Sequence, residues 1–178
     1  MENPFYPVEQ IDLDVAAIYA DFLPETIFDA HAHMYQRAAI PSFRGEGSTF
    51  VRSAASPQAY EFDMSPFLPG VTSMCMNMMP MPDPAMSEPQ SGLREGANGY
   101  VSRLLQENTG HTGCAYVLAS DNEDQITDLI AKSGFHGIKC YSYGAGKVET
   151  ETLAVGEYLP EAAWVVANSL RLPIILHL

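Results

Sequence analysis

The segment IFDAHAH at positions 27–33 carries the strongest structural signal in this chain. Its apolar start predicts a β-strand, and the strand finishes on two histidines that are separated by one residue. Side chains alternate faces along a strand, so His31 and His33 point the same way and Ala30 and Ala32 point the other way. The pattern therefore delivers two imidazole rings to one place, which suits a divalent cation.

The last residues repeat this pattern. Positions 172–177 read LPIILH and form a second apolar run that finishes on a histidine, His177. Three further strand-like runs lie between the two, at 71–76, 113–119 and 135–141. We therefore expect five strands, two of which end in histidine.

Helical patterns separate most of these strands. Apolar residues recur at helical spacing over 92–108, and a second helix is expected to begin at Ser120 or Asp121 and to end at Gly134. A third helix is expected to take Pro160 as its first residue. Such alternation predicts parallel βαβ units, which place ligands at the carboxyl ends of the strands, where His33 and His177 lie.

Two long insertions interrupt the alternation, at 34–70 and 78–88. The second is rich in proline, which disfavours a regular helix or a central strand. Loops of this length are often functional lids.

Length and composition indicate one globular domain over residues 1–178. The chain is 47% hydrophobic and carries a formal net charge of -13. Such a charge repels nucleic acid and anionic membrane surfaces but suits bound cations. No signal-peptide pattern opens the chain and no apolar run is long enough for a membrane helix, so we expect a cytoplasmic protein. The cysteines Cys75, Cys114 and Cys140 are odd in number and form no CxxC pair, which predicts buried reduced thiols.

Three segments together resemble the amidohydrolase superfamily, in the branch of metal-dependent hydrolases and decarboxylases. Residues 28–33 are similar to the family's first-strand metal motif, residues 137–141 to its fourth-strand segment, and residues 174–177 to its fifth-strand ligand segment. The resemblance implies an α/β fold, a TIM (β/α)8-barrel of the metal-dependent hydrolase type, of which this chain holds about the first five strands. We expect a barrel truncated at its C-terminal side.

The resemblance also implies a set of site residues. His31, His33 and His177 would be metal ligands, and neutral imidazole suits zinc, iron or manganese. Lys139 is carboxylated in some members and bridges two ions, whereas other members use one ion, so both arrangements stay open. Its apolar neighbours predict a lowered pKa. Tyr141 follows Lys139 toward the expected mouth of the barrel, where a phenol can orient a substrate.

The implied reaction uses metal-activated water on a C–N or C–O bond of a small polar substrate. One alternative is a non-oxidative decarboxylase on the same scaffold. Another is a non-catalytic fragment, because the family's catalytic aspartate after strand eight and its histidine after strand six would follow Leu178. Homo-oligomerisation is left open.

The remaining candidates are expected to have ordinary roles. His111 and His136 are interpreted as packing or surface residues, and the methionines of 74–81 as core residues. Arg44 and Arg52 could hold a substrate carboxylate, although loop arginines more often meet acidic neighbours. The segment 144–147 lacks the spacing of a phosphate loop.

Overall fold

The computed structural model describes residues 7–43, 52–145 and 152–177. The strands in these ranges are β1 (Thr26–Gln36), β2 (Ala54–Ala55), β3 (Ser73–Pro80), β4 (Thr112–Tyr116), β5 (Gly137–Tyr141) and β6 (Ile174–His177). The α-helices are α1 (Gln10–Tyr19), α2 (Pro57–Met64), α3 (Leu93–Glu107), α4 (Glu123–Ser133) and α5 (Glu161–Leu170).

The strands form one curled mixed sheet in the order β2-β1-β3-β4-β5-β6. Each neighbouring pair from β1 to β6 is parallel, and only β2 runs antiparallel to β1. The five strands predicted from the sequence are thus confirmed, as consecutive parallel neighbours with helices between them. The sixth strand, β2, is a correction, because its two residues lie inside the predicted long loop 34–70 and carry too short a pattern to detect.

The main core lies between the sheet and the helices. Met74, Met76 and Met78 are buried there, which confirms their interpretation as packing residues. Their unbranched, adaptable thioether side chains share this core with residues of α3, α4 and α5. A second, smaller core includes Tyr116 and Tyr141, and the half-buried Met81 packs against it.

Two strands run further than the sequence pattern indicates. β1 continues to Gln36, and β3 continues to Pro80 instead of ending at Met76. Pro80 pairs with Met34 on β1 but lies beyond Asn77 and Met78, the residues of β3 that pair with β4. The next residue, Met81, donates its backbone N–H to the carbonyl of Met34 at 3.0 Å. Both predicted insertions therefore begin later than expected.

The predicted helices are confirmed, with changes at their first residues. α4 is capped by Asn122, whose side chain accepts from the Gln125 N–H, and not by Ser120 or Asp121. The Asp121 carboxylate instead accepts from the Leu118 N–H at 2.8 Å and pairs with Arg94. Pro160 is the N-cap of α5 and not its first helical residue. At the other end of α4, Gly134 adopts the left-handed conformation that closes the helix, as expected.

Helices α1 and α2 are not indicated by the sequence pattern. α2 lies within the predicted loop 34–70 and begins with Pro57. Ser56 is its N-cap, and the Ser56 side chain accepts a hydrogen bond from the Ala59 N–H. α1 leaves several apolar side chains exposed, among them Ile11 and Ile18, so it has no clean apolar stripe. In the described ranges, every helix is too short or too polar to span a bilayer. Arg44 and the 146–147 part of the glycine-rich segment lie outside the described residues.

Candidate metal centre

His31 lies at the middle of β1 and His33 two residues further along it, and their rings converge. Their ring centroids lie 4.9 Å apart, and their Nε2 atoms lie 3.1 Å apart. The expectation that both rings point to the same side of the strand is confirmed.

The separation of the two Nε2 atoms fits a shared cation. Two nitrogens bound to one tetrahedral zinc ion at about 2.0–2.1 Å lie about 3.3 Å from each other. Without a cation, two lone pairs at 3.1 Å would repel, so one ring must donate an N–H to the other.

The hydrogen-bond pattern decides which ring donates. The Tyr141 hydroxyl donates its one hydrogen to the Pro80 carbonyl at 2.6 Å. Toward Nδ1 of His33, which lies 3.3 Å away, the same oxygen can only accept. His33 therefore carries its proton on Nδ1 and presents a lone pair on Nε2. His31 then donates from its own Nε2 when no cation is shared.

Both rings are held in the neutral form that binds metals. Burial lowers the pKa of His33 from 6.5 to about 4, with a further contribution from the neighbouring His31, and a hydrogen bond to Pro80 opposes the shift. Burial also lowers the pKa of His31, assisted by the charge of Lys139. At neutral pH, protons therefore compete weakly with a cation for this pair.

Lys139 lies on β5 and is completely buried, with 0% of its surface exposed. Among the described residues its Nζ atom has no hydrogen-bond partner, and it lies 4.8 Å from the centroid of the Tyr141 ring. Burial lowers the pKa of this amine to about 8, which confirms the expected direction. An unpartnered buried amine is costly unless it serves a ligand or the chemistry of a site.

His177 lies at the end of β6, beside Tyr141 in the parallel register. The two rings are 5.7 Å apart, and burial followed by the Lys139 charge lowers the pKa of His177. Three strands separate β1 from β6 in the sheet, yet the charge of His177 contributes to the lowered pKa values of His31 and His33. The sheet thus brings all three histidines to one end.

The three histidines nevertheless do not form a closed ligand set. Over residues 7–43, 52–145 and 152–177, no three His, Cys, Asp or Glu side chains converge closely enough to hold a metal ion. The structure assembles the pair His31 and His33 and leaves His177 nearby. The role of His177 as a further ligand stays a prediction.

The other predicted residues fall into clear places. The Tyr141 hydroxyl is buried against Pro80 and His33, so its observed contact is with a candidate ligand, and its predicted contact with substrate stays a prediction.

The candidates expected to have ordinary roles lie in such places. Arg52 pairs with Asp63. His111 accepts the Met76 N–H on Nδ1, and His136 is exposed, as expected for packing and surface residues. All three cysteines are free thiols, of which Cys75 is only half-buried.

Sequence reasoning missed two residues next to the pair, Asp29, which contacts the His31 backbone, and Tyr60, which contacts Asp29. The Asp29 carboxylate accepts the backbone N–H of His31 at 2.8 Å and the hydroxyl of Tyr60 at 2.5 Å. A carboxylate two positions before the first histidine was a signal for the first contact, because aspartate often accepts the N–H two residues on. Tyr60 lies 31 positions from Asp29, and the sequence held no signal for this second contact.

Comparisons of this chain with protein-family models, with curated proteins and with solved structures found no match.

Proposed function

We propose that this chain carries the metal-binding part of a hydrolase of the amidohydrolase type, which acts on a C–N or C–O bond of a small polar substrate. The observation that carries the proposal is the pair of neutral imidazoles whose Nε2 atoms lie 3.1 Å apart. Two histidines that are held neutral and converge on one face of a strand are an arrangement suited to a metal.

The fold supports this proposal. Consecutive parallel strands joined by helices are the building pattern of a (β/α)8 barrel, in which the functional residues lie at the carboxyl ends of the strands. Tyr141 and His177 are the last residues of their strands, and His33 lies three residues before the end of β1. We therefore propose that the curled sheet is part of such a barrel.

We propose zinc as the cation, with iron or manganese as alternatives, because neutral imidazole suits all three. His31 and His33 would hold it, with His177 as a further ligand. When bound, the ion supplies a Lewis acid and lowers the pKa of a water molecule. The chain itself fixes the tautomer of His33 through Tyr141 and keeps the rings neutral by burying them.

Lys139 supplies the second feature of the proposed site. Its buried amine has a pKa of about 8, so a substantial fraction is neutral at slightly alkaline pH. A neutral amine can accept a proton or a hydrogen bond from a substrate, and it is also the form that reacts with CO2 to give the carboxylated lysine of two-ion sites. One ion and two ions both remain compatible with the proposal.

The proposed substrate is a small molecule and not a nucleic acid or a membrane, because the net charge of -13 repels phosphate. We propose a cytoplasmic location, since three free thiols suit a reducing compartment.

The test is a turnover assay on the purified chain loaded with zinc, against amides, lactones and carboxylated aromatic acids. Release of ammonia or of a new acid that is lost in H31A/H33A, and retained in H136A, supports the hydrolase. Release of CO2 without a new acid indicates the decarboxylase. Zinc-loaded chain that turns over none of these classes argues against activity of this chain and favours the non-catalytic fragment, which binds metal without turnover.

A further inference from the structure

Strand β1 contains an irregularity just before His31. Along β1 and β3 the register is regular up to Asp29, opposite Met76, and regular again from Ala32, opposite Met78. Three steps on β1 thus match two steps on β3. One extra residue is inserted in β1, which makes this a β-bulge.

The bulge changes which residues face the core. Ile27 packs against the main core, and so do Ala32 and Met34. In a regular strand, residues 27 and 32 would lie on opposite faces. The extra residue removes this conflict, so the start of β1 can pack against the helices while His31 and His33 point to the other side.

The peptide unit between Ala30 and His31 leaves the ladder at this point, and side chains satisfy both of its polar groups. The His31 N–H donates to Oδ1 of Asp29 at 2.8 Å. The Ala30 carbonyl accepts from the Asn77 side-chain amide at 3.4 Å, which is a weaker contact. Asp29, two residues before His31, thus replaces the lost ladder hydrogen bond.

Asp29 is itself held by helix α2. Its Oδ2 atom accepts the Tyr60 hydroxyl at 2.5 Å, and the Tyr60 ring packs against the main core. Two acceptor atoms of one carboxylate therefore join the packed helix layer to the backbone of His31. A hydrogen bond to a charged acceptor is among the stronger ones in proteins.

We propose that Asp29 and Tyr60 are positioning residues that hold the β1 bulge and thereby bring His31 onto His33. This inference rests on the proposed metal function for its consequence, which is that the two residues set the affinity of the histidine pair for a divalent cation. Residues that orient a metal ligand typically change metal affinity by about 10–100-fold when they are removed.

The experiment uses two measurements on the full chain, zinc affinity by competition with a chelator and backbone amide exchange at His31. Asp29→Ala removes both contacts and is expected to weaken zinc binding at least tenfold and to abolish the exchange protection of His31. Tyr60→Phe keeps the contact between Asp29 and His31 and is expected to weaken zinc binding several-fold. Asp29→Asn keeps an oxygen acceptor for the His31 N–H and is expected to restore the protection.

The matched control is Tyr100→Phe, which removes a tyrosine hydroxyl that donates to the Ala55 carbonyl at 3.0 Å and makes no contact with Asp29. This variant should keep wild-type zinc affinity. If Asp29→Ala leaves both measurements at wild-type values, or if Tyr100→Phe weakens zinc binding as much as Tyr60→Phe does, the positioning role is overturned. If the wild-type chain does not bind zinc, the proposed function fails, and the exchange measurement alone decides the positioning role.

Discussion

The hydroxyl oxygen of Tyr141 lies 3.3 Å from Nδ1 of His33, although 108 positions separate the two residues in the sequence. Because the same hydroxyl donates to the Pro80 carbonyl, it accepts from the His33 N–H. This contact fixes the tautomer of His33 and leaves its Nε2 lone pair free. Tyr141 therefore acts on the candidate metal centre through a ligand.

Replacing Tyr141 with phenylalanine is expected to weaken zinc binding by about tenfold, because His33 keeps only Pro80 of the two acceptors that favour a proton on Nδ1. The Pro80 carbonyl also loses the Tyr141 hydroxyl as a donor in a buried position, which should lower the free energy of unfolding by about 1–3 kcal/mol. Zinc titration and urea unfolding measure the two effects.

Tyr158→Phe is the matched control for this change. The Tyr158 hydroxyl is buried and has no hydrogen-bond partner in the part of the chain that the structure describes. Its removal should leave zinc affinity unchanged and should leave stability unchanged or slightly higher. Equal losses of zinc affinity in the two variants would refute the role assigned to Tyr141.

The lowered pKa of His33 predicts how the stability of the metal-free chain depends on pH. Its pKa is about 4 in the folded chain, against 6.5 for an unperturbed histidine, so the unfolded chain binds more protons between these values. Stability should therefore fall as the pH drops from 6.5 to 4, by about 3 kcal/mol at most. His33→Ala should reduce this slope and H136A should keep it, as measured by urea unfolding at several pH values. An unchanged slope in His33→Ala would argue against the buried neutral ring.

Lys139→Met should stabilise the chain while damaging the site. The pKa of Lys139 is about 8 when folded and 10.5 otherwise, so at pH 7 the folded chain carries a buried ammonium at a cost of about 3 kcal/mol at most. Wild-type stability should rise between pH 8 and pH 10.5, where the unfolded chain binds more protons, and the methionine variant should lose this rise.

Lys132→Met serves as the control for that variant, because Lys132 is exposed and pairs with Asp128. This exposed pair contributes little, so the change should alter stability by less than about 1 kcal/mol. A methionine at position 139 that destabilises the chain at pH 7 would contradict the assigned burial cost.

The arrangement of the main strands could be predicted from the sequence, because apolar runs that alternate with helical patterns are compatible with only a few sheet topologies. It also predicted that His31 and His33 share a face. That prediction is right because the side chains alternate regularly from His31 to His33. The bulge lies between Asp29 and Ala32, and it changes the faces only of the residues that precede His31. The alternating pattern of the sequence does not show that one residue is inserted in the strand.

The contacts that tune the site could not be predicted, because they are tertiary. Tyr60 reaches Asp29 from a helix inside a predicted loop, and Tyr141 reaches Pro80 across 61 positions. Asp121 was a reasonable helix cap by residue type, but its carboxylate is used by Arg94 and the Leu118 N–H. A side chain that could cap a helix locally is used elsewhere when other backbone and side-chain groups compete for it.

Titration of the purified chain with zinc, by calorimetry in the presence of a competing chelator, measures whether His31 and His33 bind the metal. We predict at least one zinc ion per chain in the wild type, its loss in H31A/H33A, a weaker site in His177→Ala, and wild-type binding in H136A. Zinc binding in H31A/H33A with the stoichiometry and affinity of the wild type would contradict the assignment of these two histidines as the metal centre.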